Sequence, residues 1–470
     1  MKPVLLIDFG STFTKATAVD IDRPAILGTA NAFTTVDTDV GEGLEAALSI
    51  LREKTDPLSF AARYACSSAA GGLRMIACGL VPSLTVEAAR RAALGAGAKV
   101  VKVYSYELTE EDADEIATLT PDILLLTGGT DGGNRANIVQ NAALLSRVGG
   151  DFPIVVAGNR AAAGECVKLL SGSSHETIVT ENVMPVFNVL NIGPAQEVIR
   201  SLFLRRIVHA KGLTKQKSLL DGILMPTPAA VLSALTLLSE GLPGKPGIGD
   251  LVAVDLGGAT TDVYSIADGL PAGVSTVLRG LPEPRAKRTV EGDIGMRYSA
   301  AGIIGAAPEN EIPELSSLPV GEIMALLNKI QKFPDYIPED DDFRRFDFAL
   351  AVSAVSLALS RHAGTLERVY TPSGAMFQQT GKDLTDIQTM ILTGGPMAFG
   401  GRAEEIARLA MERAGTRSDS ALVSLVPKSA RPVVDRQYIL AAMGLLSVRH
   451  PEAALELLLR GMKETPEDQL

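Results

Sequence analysis

Val4-Leu5-Leu6-Ile7-Asp8-Phe9-Gly10-Ser11-Thr12-Phe13-Thr14-Lys15 and Leu251-Val252-Ala253-Val254-Asp255-Leu256-Gly257-Gly258-Ala259-Thr260-Thr261-Asp262 are two versions of one pattern. Each is an apolar strand closed by an aspartate, then one residue and a glycine, a turn of small and hydroxyl residues, and a second strand. The copies lie half a chain apart, so the repeat operates at the scale of the whole 470-residue protein. A glycine just after the strand lets the backbone turn without a Cβ, and an anion can approach the main chain closely. Successive N–H groups in such a turn form a concave anion site. Ser11, Thr12, Thr260 and Thr261 add hydroxyl donors, and Gly10, Gly257 and Gly258 open the turns. Asp8 and Asp255 stand where a carboxylate can hold magnesium through its waters, because that ion dehydrates reluctantly. One copy alone reads equally well as an ordinary Asp-X-Gly hairpin. Two matched copies, one per half, describe a phosphate clamp with two jaws.

A second pair of echoes points the same way. Asp122-Ile123-Leu124-Leu125-Leu126-Thr127-Gly128-Gly129-Thr130 resembles Thr389-Met390-Ile391-Leu392-Thr393-Gly394-Gly395-Pro396. Each reads as a buried strand running into a Gly-Gly turn and a helix, and each follows its Asp-X-Gly hairpin at a similar distance. The expectation is that this pair belongs to the same duplication. Strands alternating with helices in both halves predict α/β layering.

Between the halves, Met225-Pro226-Thr227-Pro228-Ala229-Ala230 opens a helix of small residues, with proline at its start. A Gly/Pro-rich linker, Glu240 to Asp250, follows and is the clearest boundary. Tyr438-Ile439-Leu440-Ala441-Ala442-Met443-Gly444 opens a second thin helix, and the segment from Pro451 reads as a terminal docking helix. The expected division is 1–224 for a first lobe, 225–250 for an interlobe helix and linker, 251–432 for a second lobe, and 433–470 for the second interlobe helix and the docking helix.

Composition narrows the class. Hydrophobic residues are 46% and charged residues 21%, ordinary for a globular protein. Aromatics are 4% and tryptophan is absent, so the core must be aliphatic. A net charge of −11 disfavours nucleic acid and anionic membrane as partners, since both need a basic face. Cys66, Cys78 and Cys166 are widely spaced without a Cys-X-X-Cys pair, which points to buried thiols in a reducing compartment. The first residues lack the apolar run of a signal peptide. The most apolar stretch, Phe348 to Ser360, is too short to span a bilayer and reads as a buried helix. A cytoplasmic protein is expected.

The two hairpins, the Thr393-Gly394-Gly395-Pro396 turn and the two thin helices resemble the actin, sugar kinase and heat-shock chaperone ATPase superfamily. The resemblance implies a two-lobed actin-like ATPase fold, with duplicated ribonuclease-H-like lobes around a nucleotide cleft. It makes Asp8, Gly10, Ser11 and Thr12 the first phosphate motif, and Asp255, Gly257, Gly258, Thr260 and Thr261 the second. Gly394 and Gly395 become the adenosine motif, with hinge helices starting near Pro226 and Asp435. ATP or ADP with magnesium is the implied ligand, with Asp8 and Asp255 orienting the metal and Asp255 the better candidate to position an attacking water. Lys15 is a candidate for neutralising phosphate charge, although a hairpin lysine turned to solvent fits the sequence as well.

A narrower resemblance covers nearly the whole chain. Cys66 to Met75, Leu126 to Asn134, Glu181-Asn182-Val183-Met184-Pro185, Val189 to Ile192 and Glu291-Gly292-Asp293-Ile294-Gly295-Met296-Arg297 resemble the glutamate mutase accessory protein family. This implies an ATP-dependent chaperone or reactivating factor whose partners are the subunits of an adenosylcobalamin-dependent mutase. No Asp-X-His-X-X-Gly cobalamin motif is present, so such a protein would act on the enzyme. The second hairpin equally resembles the hydantoinase and oxoprolinase ATPases, which leaves an ATP-dependent lactam hydrolase, or a small-molecule kinase, as the alternative. Oligomeric state stays open, a homodimer included. Glu291 to Arg297 reads either as a ligand or partner contact or as a turn into a helix from Met296. Asp131 to Asn134 reads either as a helix cap at Asn134 or as a ligand contact. The four histidines sit in unrelated contexts, and Glu339 to Asp342 reads as a solvated loop before a helix at Phe343.

Overall fold

The structure is a computed structural model that describes residues 1–10, 12–34, 40–55, 58–68, 73–209, 223–271, 273, 275–334, 336, 340–372, 374–417 and 422–462. Ser11 therefore lies outside the described residues, as do Ala69 to Gly72, Glu339 and the last eight residues.

The chain starts with β1 (Pro3–Phe9), β2 (Phe13–Asp20), β3 (Ala25–Phe33) and β4 (Ala62–Ser67). It then leaves the sheet to form an inserted domain of five parallel strands: β5 (Arg74–Gly79), β6 (Lys99–Ser105), β7 (Ile123–Leu126), β8 (Ile154–Val156) and β9 (Thr177–Val179), in the order β6-β5-β7-β8-β9. On return, β10 (Ile223–Pro226) pairs parallel to β4 and completes a first sheet ordered β10-β4-β1-β2-β3. The helix Thr227–Glu240 follows, then a tight ribbon of β11 (Gly241–Leu242) and β12 (Lys245–Pro246).

The second half repeats the plan. Its strands are β13 (Leu251–Leu256), β14 (Thr261–Ile266), β15 (Thr276–Arg279), β16 (Ala286–Glu291), β17 (Thr365–Thr371), β18 (Gly374–Thr380), β19 (Thr389–Thr393), β20 (Leu422–Ser424) and β21 (Arg431–Val434). The main sheet is ordered β16-β14-β13-β19-β21, and a smaller sheet β15-β18-β17-β20 lies beside it. In both main sheets the first three strands run antiparallel and the last two add parallel to the first. The matching order and direction establish a duplicated α/β fold with two lobes, as the resemblance implies.

That equivalence corrects one expectation. The strand of the second half that ends at Thr393 corresponds to β4, whereas the Thr127-Gly128-Gly129 strand is β7 of the inserted sheet. The second echo is therefore no part of the duplication. A buried parallel strand is apolar throughout and hands over to a helix through a glycine turn in any βα unit, so the likeness reflects shared architecture.

Alternation in the two central strands distributes the core symmetrically. Val4 and Leu6, like Leu251 and Ala253, face a shared layer between the lobes; Leu5, Ile7 and Phe9, like Val252, Val254 and Leu256, face each lobe's own outer core. Thr227–Glu240 and Leu440–Ser447 fill that shared layer, with the docking helix Pro451–Gly461 packed on them. The two interlobe helices meet at small residues. A Cβ on Gly444 would collide with the carbonyl oxygen of Ala230, so close contact depends on its absence. The apolar stretch around Phe348 is the helix Asp341–His362, buried along most of its length and capped by the Asp340 carboxylate on Phe343 N, 2.7 Å. Among the described residues, no helix is long and apolar enough to cross a membrane.

Candidate functional site

The two Asp-X-Gly turns face each other. Thr12 Oγ1 lies 3.7 Å from the position a Cβ on Gly258 would take. Both turns close tightly on themselves: a Cβ on Gly10 would meet Phe13 O at 2.5 Å, and one on Gly257 would meet Thr260 O at 2.9 Å. Only glycine allows that backbone approach. The main chain closes each turn through Gly10 N to Phe13 O, 3.1 Å, and Gly257 N to Thr260 O, 2.9 Å.

The two carboxylates differ sharply in company. Asp8 is buried and fully engaged. Lys15 Nζ donates to its Oδ2 at 2.9 Å, and Thr227 Oγ1 to its Oδ1 at 2.6 Å, with Cys66 Sγ at 3.4 Å. The Asp255 carboxylate accepts no hydrogen bond and forms no ion pair among the described residues. Burial, and then the facing Asp262, push its carboxyl up to about 7 against the opposing pull of Lys15, with Asp8 and Asp435 adding to the rise. An unpaired carboxylate at the cleft is the group able to take a metal's water.

Lys15 is turned into the cleft. Its ammonium sits 3.6 Å from the centre of the Tyr438 ring, a cation–π contact. Burial lowers its pKa, but Asp8, Tyr438 and Asp255 outweigh this and hold it well above its ordinary value. Tyr438 is bulky yet adopts φ +54°, in the left-handed region, the kind of local strain that clusters at functional sites. Burial, followed by the nearby carboxylates, pushes its phenol up to about 12 against Lys15. Phe399 meets the Tyr438 ring edge to face at 6.3 Å.

Gly394, at φ +100°, packs against the backbone of Leu256, so the Gly394-Gly395 turn stands directly behind the second hairpin. Thr393 Oγ1 donates to Asp435 Oδ2 at 3.1 Å, and Asp435 also accepts from Ile439 N at 3.0 Å and Leu440 N at 3.2 Å. Each jaw is thus tied to the start of an interlobe helix: Asp8 to Thr227 and Thr393 to the Asp435 cap. The second helix begins at Leu440, five residues beyond the expected start at Asp435, because Asp435 caps it from a distance.

Thr260 Oγ1 reaches Asp262 Oδ2 at 3.4 Å, whereas the buried Thr261 hydroxyl turns inward to Ile294 O at 3.0 Å and braces the hairpin. Glu291 to Arg297 runs behind that hairpin as a turn. Met296 N, Arg297 N and Tyr298 N donate to Gly257 O and Gly258 O at 2.8 to 3.0 Å, and Arg297 forms a two-pronged pair with Asp347 at 2.8 Å. The helix there starts at Ala300, later than Met296. In the inserted domain, Asn134 Oδ1 accepts from Asn137 N at 3.1 Å, a helix cap, and Asp131 Oδ1 accepts from Arg160 N and Asn182 Nδ2 at 2.9 and 3.0 Å. The three cysteines are free and buried.

The sequence reading missed Tyr438, Thr227, Cys66 and Asp435 as parts of this site. Thr227 directly after Met225-Pro226 was the available signal; Tyr438 lies in the turn between β21, which ends at Val434, and the helix Leu440–Ser447. Among the described residues no group of three or more His, Cys, Asp or Glu forms a metal cage. The Asp255 carboxylate and the backbone of the two glycine turns are the groups here that could hold a metal's water and an anion.

The family described as MutL protein matches residues 4–462. The Protein MutL of Clostridium tetanomorphum is 45% identical over 460 residues, covering 97% of this chain and 98% of that one. Among solved structures, a diol dehydratase-reactivating factor in nucleotide free form aligns with 96% of this chain and 100% of its own at 12% identity and TM-score 0.34. A ligand bound xylulose kinase from Lactobacillus acidophilus aligns with 98% and 91% at 10% identity and TM-score 0.35. Superpositions this loose carry no weight beside the sheet order. With a family match across almost the full length and a relative at 45% identity, the chain belongs to the MutL protein family.

Proposed function

We propose that this chain is an ATP-driven accessory protein that reactivates an adenosylcobalamin-dependent mutase. The observation that carries the nucleotide part is the opposition of two glycine turns across one cleft, with an unpaired Asp255 carboxylate and the Lys15 ammonium directed between them. Family membership and the resemblance to glutamate mutase accessory proteins support the partner.

On this reading the backbone amides of the two turns hold the phosphates, and Gly394-Gly395 borders the nucleoside. Magnesium, when bound, would neutralise phosphate charge. Asp255 orients the metal's waters and the attacking water. Lys15 is positioned to exchange its partners for phosphate oxygens. Hydrolysis of this kind needs chiefly positioning and charge stabilisation, and does not call for a nucleophile–histidine pair at the phosphates. Any shift at Asp8 passes to Thr227, and any shift at Thr393 passes to Asp435, hence to the two helices crossing at Gly444. Nucleotide then changes lobe angle only by as much as it favours one arrangement over the other. A partner mutase gripped by both lobes would be opened, releasing damaged cofactor.

The test starts from a cobalamin-dependent mutase inactivated with a cobalamin lacking its adenosyl group. Fresh adenosylcobalamin and this protein are added with magnesium-ATP or a non-hydrolysable analogue, and mutase turnover is followed. Recovery that requires hydrolysable ATP is the expected result. ATP consumption without recovery would instead direct attention to lactam hydrolysis or small-molecule phosphorylation.

A further inference from the structure

The inserted domain reaches across to the second lobe at and around the end of helix Glu87–Gly95. Helix Glu87–Gly95 finishes in a turn where Gly97, at φ +90°, donates its N–H to Leu94 O at 3.0 Å and Ala98 N donates to Ala93 O at 3.0 Å. This is a Schellman closure. The turn is wedged between the lobes. On one side a Cβ on Gly97 would lie 2.8 Å from Cβ of Pro226, the residue before the first interlobe helix. On the other side stands Arg288 of β16, 7% exposed.

Arg288 joins two things that have no other reason to meet. Its Nη1 donates to Leu94 O at 3.2 Å and to Ala98 O at 3.3 Å, placing a cation at the negative end of the helix. Its Nε and Nη2 hold Asp262 Oδ1 at 2.7 and 2.6 Å. Asp262 is the cross-strand partner of Asp255 in the second phosphate hairpin. The same helix returns the contact. Arg91, also buried, donates to Pro282 O and, at 3.3 Å, to Leu281 O, and pairs with Glu283 at 3.3 Å, while Lys99 Nζ reaches Gly292 O at 3.4 Å. Three cations thus bolt the first βα unit of the inserted domain to β16 and its flanks.

We infer that Arg288 is a positioning residue that makes nucleotide turnover depend on the inserted domain: through Asp262 it fixes the second phosphate hairpin against the end of helix Glu87–Gly95. The inference rests on the ATP reading above. Nothing in it requires Arg288 to touch nucleotide. It assigns the inserted domain a mechanical role: movement of the hairpin pulls on a helix end that leads into the domain's sheet, and a partner pushing on that domain acts back on the hairpin.

The experiment uses the full chain, as wild type, Arg288→Lys and Arg91→Ala, each checked for folding by circular dichroism melting. Magnesium-ADP binding is measured by calorimetry, ATP hydrolysis by steady-state kinetics, and hydrogen–deuterium exchange over residues 87–99 with and without magnesium-ADP. Arg91→Ala leaves the Arg288–Asp262 pair in place but removes the same helix's hold on Leu281, Pro282 and Glu283 beside β16, loosening the helix end against which Arg288 fixes the hairpin, so the test survives if Arg288→Lys fails to fold. The expected result is that nucleotide alters exchange at 87–99 in the wild type. Both variants lose that response and lose about 10- to 100-fold in kcat, as displacement of a positioned group does, with KM nearly unchanged. If the wild type binds no magnesium-ADP, the ATP reading fails and the inference with it. If it binds and hydrolyses, but exchange at 87–99 is unaffected or the folded variants turn over normally, the inference alone is overturned.

Discussion

Asp255 and Asp262 stand directly opposite one another across the second hairpin, and only Asp262 has a partner, Arg288. The equivalent register in the first hairpin pairs Asp8 with Lys15. The duplication has kept the geometry and reversed the charge of the facing residue. One jaw therefore presents a neutralised aspartate and the other a free one. Replacing Asp255 by Ala is expected to abolish magnesium-dependent ATP hydrolysis without weakening the fold, because it removes a carboxylate that burial and Asp262 already disfavour. Calorimetric melting should show a midpoint equal to or above wild type. Normal hydrolysis in that variant would mean the site is assigned wrongly.

Lys15 and Asp8 form a mostly buried pair at 2.9 Å, with Lys15 side-chain exposure of 17% and Asp8 of 3%. Breaking such a pair by removing one member typically costs about 3–5 kcal/mol, since a buried charge is left without its counter-ion. Lys15→Met should therefore destabilise strongly in urea titration. Lys15→Met combined with Asp8→Asn should recover part of the loss, because the amide still accepts from Thr227 and no charge is stranded. A double variant no better than Lys15→Met would show that the Tyr438 contact, rather than the ion pair, carries the lysine's contribution.

What was legible in the sequence follows from how local each feature is. Asp8-Phe9-Gly10 and Asp255-Leu256-Gly257 were readable because strand, carboxylate and turn sit in consecutive residues. Pro226 and the small residues after it announced a helix for the same reason. The inserted domain was not readable as separate: Thr127-Gly128-Gly129 carries the same local signal as Thr393-Gly394-Gly395, and only strand pairing tells them apart. The sequence leaves Lys15 open between cleft and solvent because the ring its ammonium rests on, Tyr438, comes from the other end of the chain. Arg288 gave no signal whatever. Its partners on the helix end are backbone carbonyls, which no side-chain pattern records.

The crossing of the interlobe helices sets opposing effects against each other at one position. Gly444→Ala would raise helix propensity by about 1 kcal/mol at a site free of contacts. Here the added methyl meets the backbone of Ala230, and overpacking costs about 1–3 kcal/mol. The net expectation is destabilisation, read as a lower urea midpoint at unchanged slope. A stabilised Gly444→Ala would show that the helices stand further apart than the contact implies, and that the crossing is no pivot.

Lys382 predicts a pH dependence that no surface lysine would produce. It is buried in the second lobe, donating to Arg285 O at 2.7 Å and to Ser265 Oγ at 3.2 Å, and Ser265 Oγ also meets His362 Nε2 at 2.8 Å. Burial, followed by Lys287 and Arg285, brings the ammonium down to about 7, with Glu283 and Asp268 resisting. The unfolded chain keeps its proton up to the ordinary value near 10.5. Between these pH values the unfolded state binds the extra proton, so stability must rise with pH from about 7 towards 10.5. Below 7 both states are protonated, and the cost of the buried charge is present in full. His362, held well below its ordinary value by burial and then by Lys287 and Lys382, adds a further loss on the acid side as the unfolded imidazole takes up its proton near 6.5. Melting midpoints across pH 7 to 10 should therefore climb more steeply for wild type than for Lys382→Met, whose core carries no ammonium to neutralise. Parallel curves would mean that the lysine stays charged when buried, compensated by the carbonyl and hydroxyl oxygens around it.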